Sequence, residues 1–366
     1  MTRLQRLHAG QRQSPWLDDL PRTFLLDGTL ARYVEQGIRG VTANPTILAK
    51  AIEGSDVYDE QLGALLAGGA TVLEAYWELV IDDVRRALAL LCPVFDESGG
   101  TDGFVSLEVA PELAHDTEAS IAAAQDLYRR IDEPNLMVKI PATDAGLLTI
   151  ESLVAEGSNV NVTLVFSLDR YRHVVEAYLR GLERLEKAGG DLSRVNGVAS
   201  FFVSRVDTEV DRRLEEIGTH EALALRGHAA VAQAKVAYQI FRDQFCSARW
   251  ARLAAKGAHP QRALWASTST KNPQYPDTLY VDQLIGPDTV NTLPESTIAL
   301  FEEHGTVDRT LDRKVGEAQK VMVRLSGLRV DMDDVGRTLE AQGVAGFHKS
   351  FAHVLRTLEA ESAARG

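Results

Sequence analysis

Residues 136–143 read LMVKIPAT. Leu136, Met137, Val138 and Ile140 form a short apolar run of strand character, broken by one lysine and stopped by Pro141. Neighbouring side chains in a strand point to opposite faces, so Lys139 faces away from Val138 and Ile140. The same pattern, an apolar run with polar residues toward its downstream end, recurs along the chain. Upstream lie Pro15–Asp19 (ending in Asp18 and Asp19), Gly40–Asn44 (ending in Asn44) and Phe104–Val109 (with Glu108 near its end). Downstream lie Val160–Phe166, Gly197–Val203 leading to Arg205, Ala263–Ser267 leading to Lys271, and Val290–Leu293. Helical periodicity fills the gaps, as over Thr71–Leu91, Thr117–Arg130, Leu168–Lys187 and His220–Arg252.

Strands alternating with helices imply a parallel sheet covered by helices. That sheet is either open and doubly wound or closed into a (β/α)8 barrel. No G-x-G-x-x-G or G-x-x-x-x-G-K-[ST] follows the first run, so the nucleotide-binding open sheet lacks its signature. Polar residues gather instead at the downstream ends of many different strands, where a barrel builds its active site. The expectation is therefore an α/β chain forming one (β/α)8 barrel domain over residues 1–366. The surplus length reads as helical decoration, over 206–256 and from Val307 to Ala364.

Composition narrows the function classes. With 45% hydrophobic and 25% charged residues, the chain reads as a soluble globular protein. The net charge of −13 argues against a nucleic-acid binder, which needs a basic face to neutralise phosphates. Cys92 and Cys246 stand far apart, giving no metal or redox framework and suiting a reducing cytoplasm. The amino terminus, MTRLQRLHAGQRQ, has no apolar signal core, and no stretch nears the roughly 18 apolar residues of a membrane span. A soluble, cytoplasmic protein is expected.

On its own run Lys139 reads as a snorkelling lysine or half of a buried ion pair. Its partners favour chemistry. A lysine inside a barrel is desolvated, which disfavours the charged form and prepares the amine to attack a ketone. Schiff-base formation then moves several protons, and Asp18 and Glu108 are carboxylates suited to moving them. Asp19 competes equally with Asp18 on chemistry alone. Asn161 and Thr163 share one strand face; the first suits a substrate hydroxyl and the second an ordered water. Asn44 could reach the same space, although Asn-Pro is also a plain turn signal. Ser200 and Arg205, with Ser267 and Lys271, make a candidate phosphate clamp from two adjacent late strands.

The runs WLDD, GVTANPTI, LEV, VKIPAT, VNVTLVFS, SFFVSRVD, LWASTSTKNP and VNTLP, in this order, resemble the transaldolase family over roughly residues 14 to 300. The helical additions resemble its longer bacterial and plant-like subgroup. The resemblance implies a class I, Schiff-base barrel with no metal or organic cofactor, acting on sugar phosphates in the non-oxidative pentose phosphate pathway. It implies transfer of a dihydroxyacetone unit from sedoheptulose 7-phosphate to glyceraldehyde 3-phosphate. By motif, Lys139 matches the Schiff-base lysine, Asp18 and Glu108 the acids, and Thr163 the water-holding threonine. Asn44 and Asn161 match hydroxyl-binding asparagines, while Ser200, Arg205, Ser267 and Lys271 match the phosphate site. Lys271 stands slightly beyond the position where shorter members carry an arginine. Many members are homodimers. Three other readings compete: a fructose-6-phosphate aldolase that releases dihydroxyacetone to water, a metal-dependent barrel enzyme, and a silent barrel used as a scaffold. The first belongs to much shorter chains. The second needs histidine and carboxylate ligands at strand ends, whereas the histidines here fall mostly in helical or loop segments. The third predicts that some of the chemical residues would be missing.

Overall fold

The computed structural model describes the backbone of residues 1–365 and the side chains of residues 1–360. Eight strands close in sequence order: β1 (Gln13–Leu17), β2 (Gly40–Thr42), β3 (Phe104–Glu108), β4 (Leu136–Pro141), β5 (Val160–Val165), β6 (Gly197–Phe202), β7 (Arg262–Ala266) and β8 (Thr289–Leu293). Every neighbouring pair is parallel, and β8 returns to β1 through five register pairs from Gln13–Thr289 to Leu17–Leu293. The closed barrel expected from the polar strand ends is the fold observed.

Several expected strand ends shift by one or two residues, and at β1 and β2 the polar residues beyond the ladder serve a turn and a helix cap. β1 stops at Leu17, so Asp18 follows the strand rather than closing it. β2 stops at Thr42, and Asn44 becomes the N-cap of the helix Pro45–Glu53, accepting from the amides of Thr46 and Ile47. Thr143 and Ser167 cap the helices after β4 and β5 in the same way. Each such cap satisfies amides that the first helical turn leaves without partners.

Two helical expectations need correction. The helix expected over 71–91 continues to Glu97 through Pro93, and the one expected over 220–252 is three helices, His220–Leu223, Ala229–Gln244 and Ala248–Ala254. The carboxyl-terminal extension is also more than decoration. Its last helix, Met332–Arg365, packs on the helix Pro45–Glu53, on β5 and on the helix Ser204–Ile217. Gly336 and Gly343 let it approach closely. A Cβ on Gly336 would lie 2.8 Å from the Ser167 Cβ, and one on Gly343 would lie 2.8 Å from the Leu164 Cδ2. Leu164 has φ of 59°, at the irregularity that shifts the β5–β6 register between Val162 and Val165. The local bend lets β5 meet the helix, as bulges re-aim strand ends near active sites. Arg213–Asp334 at 2.8 Å and Arg170–Glu340 at 3.5 Å tie the same helix to its neighbours.

Candidate active site

Register decides which side chains meet. Glu108 on β3 is level with Lys139 on β4, and Lys139 is level with Asn161 on β5. Register partners in a parallel sheet share a face, so these three project into the barrel together. Lys139 is 4% exposed, and its Nζ lies 3.5 Å from Glu108 Oε2. That is longer than an ordinary hydrogen bond. Burial pushes the Glu108 carboxyl up to about 7, against the opposing pull of the Lys139 charge. Glu108 can therefore both give and take a proton near neutrality.

Above this floor opens a cavity of about 470 Å3, lined by Lys139, Asp18, Ser200, Arg205, Ser267 and Lys271 among others. Six of the residues singled out from sequence thus share one space, and Asn44 also lines it. Glu108, Asn161 and Thr163 do not line it; they are buried within the barrel beside the lysine. Asn161 donates to Ser106 Oγ at 3.0 Å and accepts from Ser200 Oγ at 2.7 Å, a polar chain across three strands. The Thr163 hydroxyl and Glu108 Oε2 make no hydrogen bond within the described residues. Buried polar atoms are seldom left so, and Glu108 Oε2 lies 3.5 Å from the Lys139 amine.

The two adjacent aspartates differ once folded. Asp18 accepts from Thr42 Oγ1 at 2.7 Å. Burial raises its carboxyl, opposed by the charges of Lys139, Arg205 and Lys271 and by that hydrogen bond. Asp19 accepts from the Leu20 amide at 3.0 Å, and burial pushes it up to about 6, with Lys50 the cation facing it. Only Asp18 stands in the field of the lysine and both candidate phosphate cations.

At the mouth, Arg205 opens the helix Ser204–Ile217 directly after β6, with its guanidinium 5.5 Å from the Phe202 ring centre. Arg205 is exposed at the mouth; partial desolvation by the surrounding wall lowers its pKa, opposed by Asp18. Ser204 and Ser267 join β6 to β7 here: their hydroxyls are 2.9 Å apart, and the Ser204 amide donates to the Ser267 carbonyl. Ser267 has φ of 57°, a strained value for a residue with a side chain, and such strain gathers at functional sites. Lys271 is exposed in the loop beyond.

Sequence reasoning missed Thr42, Phe202, Ser269, Thr292 and Phe347, all of which line the cavity. Thr42 and Thr292 are linked by a 2.6 Å hydrogen bond beside Asp18. Phe347 arrives from the last helix, and the seven-residue spacing of Gly336 and Gly343 was a readable sign that this helix packs closely on something.

Comparison with known proteins agrees with this geometry. Residues 15–358 match the model of the family described as transaldolase/fructose-6-phosphate aldolase. The chain is 51% identical over 359 residues to a protein named transaldolase from Acidothermus cellulolyticus, covering 96% of both chains. It is 49% identical to one from Thermobifida fusca over 351 residues, 95% of both. It is 48% identical to one from Mycolicibacterium smegmatis over 344 residues, 93% of both. With matches of this extent on a closed eight-stranded barrel, the chain belongs to the transaldolase/fructose-6-phosphate aldolase family.

Proposed function

We propose that the chain catalyses the transaldolase reaction, moving a dihydroxyacetone unit from sedoheptulose 7-phosphate to glyceraldehyde 3-phosphate through a Schiff base on Lys139. The products are erythrose 4-phosphate and fructose 6-phosphate. The observation carrying this reading is one buried lysine at the floor of a cavity whose rim holds Arg205 and Lys271.

The roles follow from depth. The Lys139 amine attacks the donor ketone and forms a carbinolamine. Glu108 lies beside the nitrogen and off the cavity, with a carboxyl that titrates near 7. That placement suits it to protonate the departing hydroxyl, through a water held by Thr163, as the imine forms. Asp18 lies on the substrate side. It takes the proton of the hydroxyl on the carbon that leaves. That hydroxyl becomes a carbonyl, the adjacent carbon–carbon bond breaks, and its electron pair enters the imine to give an enamine. The aldose phosphate departs, the acceptor aldehyde takes its place, and the same steps run in reverse until water frees the lysine. Asn44 spends its carbonyl oxygen on the helix cap, which leaves its amide nitrogen for a substrate hydroxyl. Asn161, buried behind the cavity wall, fixes Ser200, which faces the inner end of the substrate. Arg205 and Lys271, with Ser267, grip the phosphate, the arginine as a fork and the lysine as a point charge. On this reading residues 1–366 are one catalytic domain needing no organic cofactor or metal, acting in the cytoplasm on sugar phosphates. Nucleic acid is no partner on this reading.

A coupled assay with fructose 6-phosphate, run with and without erythrose 4-phosphate, tests this reading. Transferase activity gives turnover only with the acceptor. Steady release of free dihydroxyacetone without it would assign the chain to the aldolase half of the family.

A further inference from the structure

Two carboxylates outside the reaction path are buried and doubly bonded. Asp207 and Asp211 lie one turn apart on the helix Ser204–Ile217, whose first turn carries Arg205. Asp207 is 1% exposed; one of its oxygens accepts from the Ala230 amide at 2.7 Å and the other from the Tyr280 hydroxyl at 2.9 Å. Asp211 repeats the pattern, accepting from the Gly227 amide at 2.9 Å and the Tyr275 hydroxyl at 2.6 Å. Gly227 has φ of +74°, and a Cβ there would meet the Tyr275 ring at 2.7 Å, so the ring lies flush on the glycine backbone. Both tyrosines belong to the segment that follows Lys271 in the chain, and Thr270 Oγ1 folds that segment back by donating to the carbonyls of Pro276 and Asp277.

Each aspartate thus ties the Arg205 helix to two other pieces: Asp207 to the first turn of the helix Ala229–Gln244 and to the short helix Leu279–Gln283, Asp211 to the turn before Ala229 and to the loop after Lys271. Burying a carboxylate is costly unless its bonds are complete. A helix cap alone needs one oxygen, and the second oxygen of each goes to a tyrosine of the segment after Lys271, Tyr275 in its loop and Tyr280 in the short helix that follows. We propose that Asp207 and Asp211 are positioning residues for the phosphate end of the site: through Tyr280 and Tyr275 they lock the Lys271 loop to the Arg205 helix and so fix the two cations relative to each other. The proposal rests on the assignment of Arg205 and Lys271 as phosphate ligands.

The test uses Tyr275→Phe and Tyr280→Phe in the full chain, with Tyr178→Phe as a control. Tyr178 donates to the His259 carbonyl at 2.9 Å, away from the cavity, so its substitution deletes one hydrogen bond without touching the loop. Tyr275→Phe is expected to raise the KM for fructose 6-phosphate and the inhibition constant of inorganic phosphate together, each by about tenfold, the value of one hydrogen bond to a charged group. Its kcat should stay within about twofold, since no group near Lys139 changes. Borohydride trapping of unphosphorylated dihydroxyacetone on Lys139 should be unaffected. Tyr178→Phe should leave both phosphate constants where they are. If Tyr280→Phe does not fold, Tyr275→Phe, on a half-buried ring, still decides. Unchanged phosphate constants in Tyr275→Phe, or equal changes in Tyr178→Phe, overturn the proposal. Failure of native protein to be inhibited by phosphate at all would instead overturn the phosphate-site assignment beneath it.

Discussion

The two ends of the barrel treat buried charge in opposite ways. At the amino-terminal end, Asp102 accepts from Trp16 Nε1 at 2.9 Å, from Arg39 Nε at 2.9 Å and from the Ser14 hydroxyl. Arg262 lies 3.6 Å from the same carboxylate and also donates to Ser14 Oγ at 2.9 Å. Both carboxylate oxygens there have hydrogen-bond donors. At the carboxyl-terminal end, Lys139 and Glu108 stand 3.5 Å apart, Glu108 Oε2 and the Thr163 hydroxyl make no hydrogen bond within the described residues, and the lysine opens onto a cavity. A completed network holds one geometry; an incomplete one keeps capacity for a substrate. The same strands deliver both, which is how a barrel separates stability from chemistry.

Five substitutions test that contrast, taken from the largest expected catalytic effect to the smallest. Lys139→Ala removes the nucleophile and should lower kcat by at least about 10⁴-fold, measured as transfer in the coupled assay. Glu108→Gln should lower kcat by roughly 10²–10⁴-fold, the usual value of a positioned acid–base group. Its pH profile provides a sharper sign. Burial has raised the Glu108 carboxyl to about 7. It is therefore mostly protonated below that pH and mostly ionised above it. The native kcat profile should carry an inflection near 7 that is absent in Glu108→Gln; a profile that keeps it assigns the proton elsewhere.

Arg205→Ala should raise the KM for sugar phosphates by roughly 10- to 100-fold, and Lys271→Ala by less, since a point charge grips less firmly than a fork. Steady-state kinetics ranking lysine above arginine would reverse the roles at the mouth. Asp102→Ala, at the opposite end, should leave kcat/KM of the folded protein within about twofold while costing about 3 kcal/mol of stability, because Arg39 and Arg262 lose their shared carboxylate. Denaturant unfolding together with an activity assay separates the two effects.

Much of this contrast was legible in the sequence, and the limits have physical causes. The strands stood out because apolar runs of strand formers end in polar residues, and those polar ends placed Lys139, Asp18, Ser200, Arg205, Ser267 and Lys271 at one cavity. Asp18 and Asp19 were chemically equal as sequence neighbours and parted only by motif; the tertiary field of Lys139, Arg205 and Lys271 and the Thr42 hydrogen bond give the difference a physical basis. Asn44 carried both a turn signal and a binding signal, and it serves as a helix cap while also lining the cavity. Phe347 and the Asp–Tyr pairs escaped notice because their partners lie far along the chain: Tyr280 bonds Asp207 across 73 positions, and Phe347 reaches the cavity from the last helix. Local periodicity carries no record of such pairings.

The central claim is that Lys139 is the residue that holds the sugar. Incubation with fructose 6-phosphate, reduction with borohydride and peptide mass spectrometry test it directly. A reduced three-carbon adduct is expected on Lys139, absent when the donor is withheld and absent in Lys139→Ala. An unmodified Lys139, an adduct on another lysine such as the cavity-rim Lys50, or undiminished turnover in Lys139→Ala would contradict it.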